Sequence, residues 1–282
     1  MIGLGAKYLT AAGFGRYRIT AASLGKLDLL GTLGGWLTKA TKQAILGAFG
    51  DDGMAVIKAT NAYLNGIAAS DRDKATALAG FINEDPMMVC SLGLEVPGVT
   101  MPRRFIVNSG TSYLDTGYDT NANTKWKLGF YIDNYTQNAR HGESTSNVRF
   151  YIGTNNGSFI TGYGSNYNHG VKTADGNVHD AELYNAVLTF DGTNYGAGTA
   201  FTSSMRMWLF NSNGYDSKVR GGVDYSIFEE NGVEIKHFIP FQNGEDAEML
   251  DLVASLAQGT KVFAERHGSF TIPDISYTPS TP

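Results

Sequence analysis

From Pro102 onward the chain changes character at every second residue. Trp126, Leu128, Phe130 and Ile132 fall on one side and Lys125, Lys127 and Tyr131 on the other, as in a strand with one face on a core. Val148, Phe150 and Ile152 repeat the pattern, and Asn155-Asn156-Gly157 offers a tight turn into residues 159–163. Further strands are predicted over 183–190, running into Asp191-Gly192, and over 205–210, running into residues 211–214. Residues 223–228 and 233–239 flank Asn231-Gly232, the strongest hairpin signal in the chain. Short strands, Gly and Asn turns and no interleaved helical period predict a mainly β, antiparallel two-sheet sandwich.

The first hundred residues read differently. Gly3, Gly5, Gly13 and Gly15 punctuate the start, which fits an extended arm or a loosely packed helix. Leu24, Leu27, Leu30, Leu33, Leu37, Ala40, Ala44 and Ala48 then recur every three or four residues, which predicts a helix with one small-residue face. Gly31, Gly34 and Gly35 each cost about 1 kcal/mol against alanine, so such a helix needs a partner surface. Asp51 and Asp52 are predicted to cap a helix carrying Met54, Ile57, Ala62 and Leu64. Ser70 and Asp73 mark the start of another with Ala75, Leu78, Ala79 and Ile82, and Asp85-Pro86 ends it. Residues 1–85 thus form a predicted helical, Gly/Ala-rich attachment or oligomerisation domain, and 86–103 a linker.

Composition narrows the function. Only 17% of residues are charged, against a usual ~25%, so Asn, Thr, Ser and Tyr must supply much of the surface polarity. A net charge of -5 with both signs interspersed leaves no basic footprint for nucleic acid. The single cysteine, Cys90, excludes an internal disulfide framework and reads as a small buried hydrophobe. No window approaches the ~18 uninterrupted apolar residues of a membrane span, and residues 1–10 make a poor secretory signal. A chain that acts outside a cell without an export signal fits a particle component released by lysis.

A set of short motifs then appears in order. Ser109-Gly110-Thr111-Ser112-Tyr113-Leu114-Asp115-Thr116-Gly117 is followed by Asn123-Thr124-Lys125, Asn138-Ala139-Arg140 and Tyr163-Gly164. Later come Leu209-Phe210, Tyr225-Ser226, Asn231-Gly232, Phe238-Ile239-Pro240, Glu248-Met249-Leu250-Asp251 and Gly268-Ser269-Phe270. Together they resemble the concanavalin A-like, laminin-G-like jelly-roll module common in bacteriophage particle proteins and gut-bacterial surface proteins. Asn138 departs from that module's glycine, and Glu248 and Leu250 from its glycine and tyrosine. The resemblance implies a jelly roll over 104–272, with 273–282 as a C-terminal tail.

Glycosidases on this sandwich carry paired carboxylates on one strand, spaced so that acid and nucleophile lie ~5 Å apart. No strand here has that spacing; Glu245, Asp246 and Glu248 read as helix-capping residues. The five histidines, His141, His169, His179, His237 and His267, are dispersed, and Ser109 and Ser203 lack nucleophile-elbow glycines. No catalytic residue and no cofactor is therefore predicted. Calcium stays open through loop oxygens of Asp175, Asp180, Asp191 and Asp216, as in related sandwiches.

What remains is recognition. The segment 163–169 is read as a loop in which Tyr163 and Tyr167 offer ring faces and Asn166 and His169 offer hydrogen bonds, the equipment of a ligand-binding loop. Together with the resemblance, these readings predict a noncatalytic phage structural protein: a head fibre, capsid decoration or tail-associated module on the virion surface. It would associate with itself, as a trimer in the working expectation. Residues 1–85 would hold it to capsid or tail proteins, and its jelly roll would face a host glycan. A carbohydrate-binding adhesin is the alternative, and a polysaccharide hydrolase the third.

Overall fold

The computed structural model describes residues 35–133, 138–144, 149–196, 198–199, 204, 206–213 and 218–277. Its strands begin with β1 (Ile106–Ser109), β2 (Tyr113–Asp119), β3 (Thr124–Ile132), β4 (Ala139–Ser144), β5 (Arg149–Asn155), β6 (Ser158–Tyr163), β7 (Ser165–Lys172) and β8 (His179–Tyr184). They continue with β9 (Val187–Phe190), β10 (Thr193–Gly196), β11 (Arg206–Leu209), β12 (Ser212–Asn213), β13 (Arg220–Glu230), β14 (Val233–Asn243), β15 (Asp246–Asp251) and β16 (Glu265–His267). The first sheet runs β10-β9-β8-β3-β13-β14-β15, with β1 beside β13. The second runs β16-β2-β11-β4-β5-β6-β7, with β12 beside β4. Pairing is antiparallel apart from the two-residue β12, which lies parallel to β4.

The predicted alternation holds where it was clearest. Trp126, Leu128, Phe130 and Ile132 on β3 are fully buried, facing Leu114, Phe150, Ile152, Phe159 and Leu209 from the other sheet. The Trp126 ring stacks on Phe228 at 5.7 Å, and its Nε1 donates to Ser226 Oγ at 3.0 Å. Each such side chain contributes about 1.5–3 kcal/mol on burial. On the opposite face of β3, Lys125 and Lys127 pair with Glu182 and Glu229. Asn231 and Gly232 both take positive φ, 51° and 79°, which lets the β13–β14 hairpin close in two residues.

A second core lies on the outer face of the first sheet. Helices α1 (Lys39–Phe49), α2 (Gly53–Ala68) and α3 (Arg72–Glu84), with the turn Pro86–Ser91, pack Ile45, Phe49, Val56, Leu78, Ile82 and Met88 against Ile239 and Phe241 of β14 and Leu250 of β15. These strands are therefore buried on both sides. α4 (Leu252–Gln258) follows β15 directly, capped by Asp251, whose carboxylate accepts from Ala254 N at 3.2 Å. After β16 the chain returns to the helices, where the Tyr277 ring meets Phe49 at 4.9 Å and its hydroxyl bonds to Asp52.

Several local expectations are corrected. α1 is capped by Thr38 and buries Thr41, Lys42, Ile45, Leu46 and Phe49, so its inward face is rotated from the predicted alanine stripe. Leu24, Leu27, Leu30 and Leu33 of that stripe lie outside the described residues. Asp52 precedes α2 without a capping side-chain bond, and α3 is capped by Asp71, which accepts from Lys74 N at 3.0 Å. Glu248 and Asp246 cap no helix: they sit on β15 beside Arg266. Residues 183–190 are two strands of a hairpin, turned by Asn185 and Ala186 at φ 48° and 60°. An alanine held left-handed is strained by about 1 kcal/mol. Ala186→Gly is expected to stabilise the fold by roughly 0.5–1 kcal/mol, measurable as a rise in Tm; an unchanged or lower Tm would show that the alanine methyl's packing outweighs the strain.

Candidate functional site

The segment expected as a loop at 163–169 is strand: Gly164, at φ 70°, turns the chain sharply from β6 into β7, the edge of the second sheet. Period-2 geometry then separates the four predicted residues. Tyr163 faces the core, 3% exposed, with its ring 5.6 Å from Phe150. Asn166 lies on the outer face, where its side-chain oxygen accepts from the Tyr151 hydroxyl. Tyr167 and His169 point inward from β7, but at the sheet's edge, where the sandwich is open.

There they meet the edge of the other sheet. His169 lies 5.2 Å from the Tyr167 ring and 5.5 Å from that of Tyr195 on β10, and Thr161 Oγ1 bonds to its Nε2 at 2.8 Å. Burial holds the His169 pKa below the usual imidazole value, which favours the neutral ring. Tyr167 remains 48% exposed. The result is an aromatic corner between the two sheets, while the exposed amides of Asn166 and Asn168 lie on the other face of β7. It can offer a ring face and hydrogen bonds at neutral charge. Tyr195 and Thr161 were not singled out in the sequence; they join only because β10 and β7 close the same end of the sandwich. By contrast, Tyr113 is stacked between Trp208 at 4.3 Å and His267 at 4.4 Å, so those rings cover one another's faces.

Carboxylates gather elsewhere, on the outer face of the first sheet. Arg103 forks onto Asp180 with bonds of 2.8 and 3.0 Å and donates through Nε to Asp224. The Tyr225 hydroxyl donates to Asp180 at 2.8 Å. Burial pushes the Asp224 carboxyl above the ordinary carboxylate value, against the pull of Arg103. One guanidinium thus bridges both acids and lies over Gly129, where a Cβ would strike it.

The calcium candidates have protein partners of their own. Asp175 and Asp191 both reach His179, at 3.2 and 2.7 Å, and Asp180 belongs to Arg103. Asp216 lies outside the described residues, as does Ser203. Among the described residues no group of three His, Cys, Asp or Glu is gathered as a metal site.

The sheet order, the antiparallel register and the two inner faces define the class: a mainly antiparallel two-sheet β sandwich, carrying a small helical region on one face. No family model and no curated protein matches the sequence. Among solved structures it is similar to a protein from Bacteroides ovatus ATCC 8483 provisionally described as carbohydrate binding. That match has a TM-score of 0.46 and 13% identity, over 61% of this chain and 60% of the other. It is also similar to domains LG4-5 of the mouse laminin alpha1 chain, at a TM-score of 0.34 and 16% identity, over 48% of this chain and 44% of that one. The chain therefore spans less than two thirds of either.

Proposed function

We propose that this chain is a noncatalytic surface-display protein whose jelly roll contacts a glycan through the corner built by Tyr167, His169 and Tyr195. The observation that carries this is the half-exposed Tyr167 ring, set between the two sheet edges beside His169 and Tyr195. A sugar ring needs an aromatic face for its C–H side and neutral hydrogen-bonding groups around its rim, and the corner supplies both. The finer reading places the protein on a bacteriophage particle as a head fibre, capsid decoration or tail-associated module. In it, residues 1–85 hold the chain to capsid or tail proteins, and copies assemble as trimers. The ordered motifs over 104–272 support that setting.

Glycan-array binding by the full chain is expected, and Tyr167→Ala is expected to reduce it at least tenfold with little change in Tm. A clean array from folded protein would count against the reading. Electron micrographs of labelled protein on its native particle separate a virion component from an adhesin on a bacterial surface. Light scattering checks the trimer.

A further inference from the structure

A cavity of about 460 Å³ lies at the seam where the helices, the first sheet and the closing segment of the chain meet, within the size range of ligand pockets. Ala44 and Ala48 of α1, with Met87, Ile272 and Ile275, form its apolar walls. Asp85, Arg104 and Gln242 supply its inner polar atoms, and the exposed Asp274 stands at its rim. It shares no residue with the Tyr167 corner. The alanines on this side of α1 leave open the space that larger side chains would fill.

The buried ion pair that lines this cavity is only half used by the protein. Asp85 and Arg104 are 4% and 5% exposed. Asp85 Oδ2 accepts from Arg104 Nη1 at 2.6 Å and from Gln242 N at 2.7 Å, whereas Oδ1 accepts from no group among the described residues. Arg104 Nη1 also donates to the Pro240 carbonyl at 3.3 Å, and among the described residues its Nε and Nη2 have no partner. These three unbonded atoms are not sealed inside the protein; each keeps some accessible surface. Gln242 commits its Nε2 to the carbonyls of Gly244 and Asp246, at 2.8 and 3.3 Å, which leaves Oε1 to accept.

Charge and hydrogen-bond sense restrict the occupant. Asp85 neutralises Arg104, and Asp274 has no ion partner among the described residues, so one guanidinium against two carboxylates leaves the walls with a single net negative charge. A ligand carrying one positive charge matches that balance. Asp85 Oδ1, Gln242 Oε1 and the Asp274 carboxylate call for donors, which a primary ammonium supplies, while Arg104 calls for an acceptor such as a carbonyl oxygen. The apolar walls call for a hydrocarbon side chain. We infer that this cavity binds a primary ammonium with a carbonyl beside it on an apolar residue, the chemistry of a peptide's N-terminus or of an amino-acid amide. The ammonium faces Asp85 Oδ1 and Asp274, the carbonyl oxygen faces Arg104, and the side chain lies against Ala44, Ala48 and Met87. The site stands independently of the glycan reading above.

The test titrates the full chain by NMR with leucinamide, leucine and N-acetylleucinamide, which share one side chain and differ in charge. Leucinamide is expected to give saturable shifts of the Ala48 and Ile275 amides, with that of Tyr167 unmoved. It should bind roughly tenfold or more tightly than zwitterionic leucine or the neutral N-acetyl compound. Ala44→Leu, at an exposed position of α1, should fill the cavity and weaken leucinamide roughly tenfold or more with little change in Tm. Asp274→Asn should weaken it roughly two- to fivefold, the range of an exposed ion pair. Leucyl-glycinamide separates the two sources: binding as tight as leucinamide's identifies a peptide end, much weaker binding a free amino amide, and both support the site. Equal affinity for all three charge states, binding that Ala44→Leu leaves intact, or no saturable shift at Ala48 and Ile275 would overturn it.

Discussion

Between pH 7 and pH 4 the wild-type chain is expected to lose about 3 kcal/mol more folding stability than its His141→Asn variant. His141 points from β4 into the sandwich, fully buried between the rings of Phe130 and Phe210. Its Nδ1 accepts from the Phe210 N–H at 3.1 Å, so the proton of the neutral ring sits on Nε2, which is buried without a partner. Burial alone drives the pKa down to about 3. The unfolded chain binds a proton near pH 6.5, the folded chain only near 3. Stability from this residue is therefore complete above pH 6.5 and drains away as pH falls toward 3, because protons favour the unfolded state. The amide oxygen that His141→Asn introduces can still accept from Phe210 N–H but cannot titrate. Urea unfolding of both proteins at pH 7, 6, 5 and 4 gives the difference directly; parallel stability curves would show that His141 is reachable by protons in the fold.

Asp85→Ala is expected to destabilise the protein by roughly 3–5 kcal/mol, while a joint Asp85→Leu, Arg104→Met replacement costs far less. Both side chains are 4% exposed, and Arg104 Nη1 bonds to Asp85 Oδ2 at 2.6 Å. That same oxygen accepts from Gln242 N at 2.7 Å, so one carboxylate ties the end of α3, the start of the strand region and β14 together. Removing it leaves a cation deep in the protein with only the Pro240 carbonyl for company, and strands the Gln242 amide. Removing both charges leaves neither. A double-mutant cycle by chemical denaturation gives the coupling. Equal costs for the single and joint changes would mean that the pair is reached by water.

The strands are plain in the sequence where burial is one-sided. Trp126, Leu128, Phe130 and Ile132 all take the inner face, and Asn231-Gly232 meets the φ demands of its turn. The 183–190 hairpin stays hidden because its turn uses Asn185 and Ala186, with no glycine to break an alternation that reads as one strand. β7 reads as a loop because Ser165, Asn166, Asn168 and Gly170 carry turn chemistry, and an edge strand needs little apolar surface to hold its place. The inward face of α1 is misread because alanine is a weak reporter of burial beside Ile45 and Phe49. Tyr167 and His169 can be singled out from residue type alone. Their partner Tyr195, and the Arg103 bridge to Asp180 and Asp224 across 77 and 121 residues, follow from sheet order, which no local spacing encodes.

The two-sided burial of β14 and β15 bears on any attempt to move the sandwich into another protein. A graft cut at residue 104 would leave Ile239, Phe241 and Leu250 facing water, a sticky stripe along the β14–β15 edge of the first sheet. A usable cassette has to bring the helices along, or carry polar replacements at those three positions.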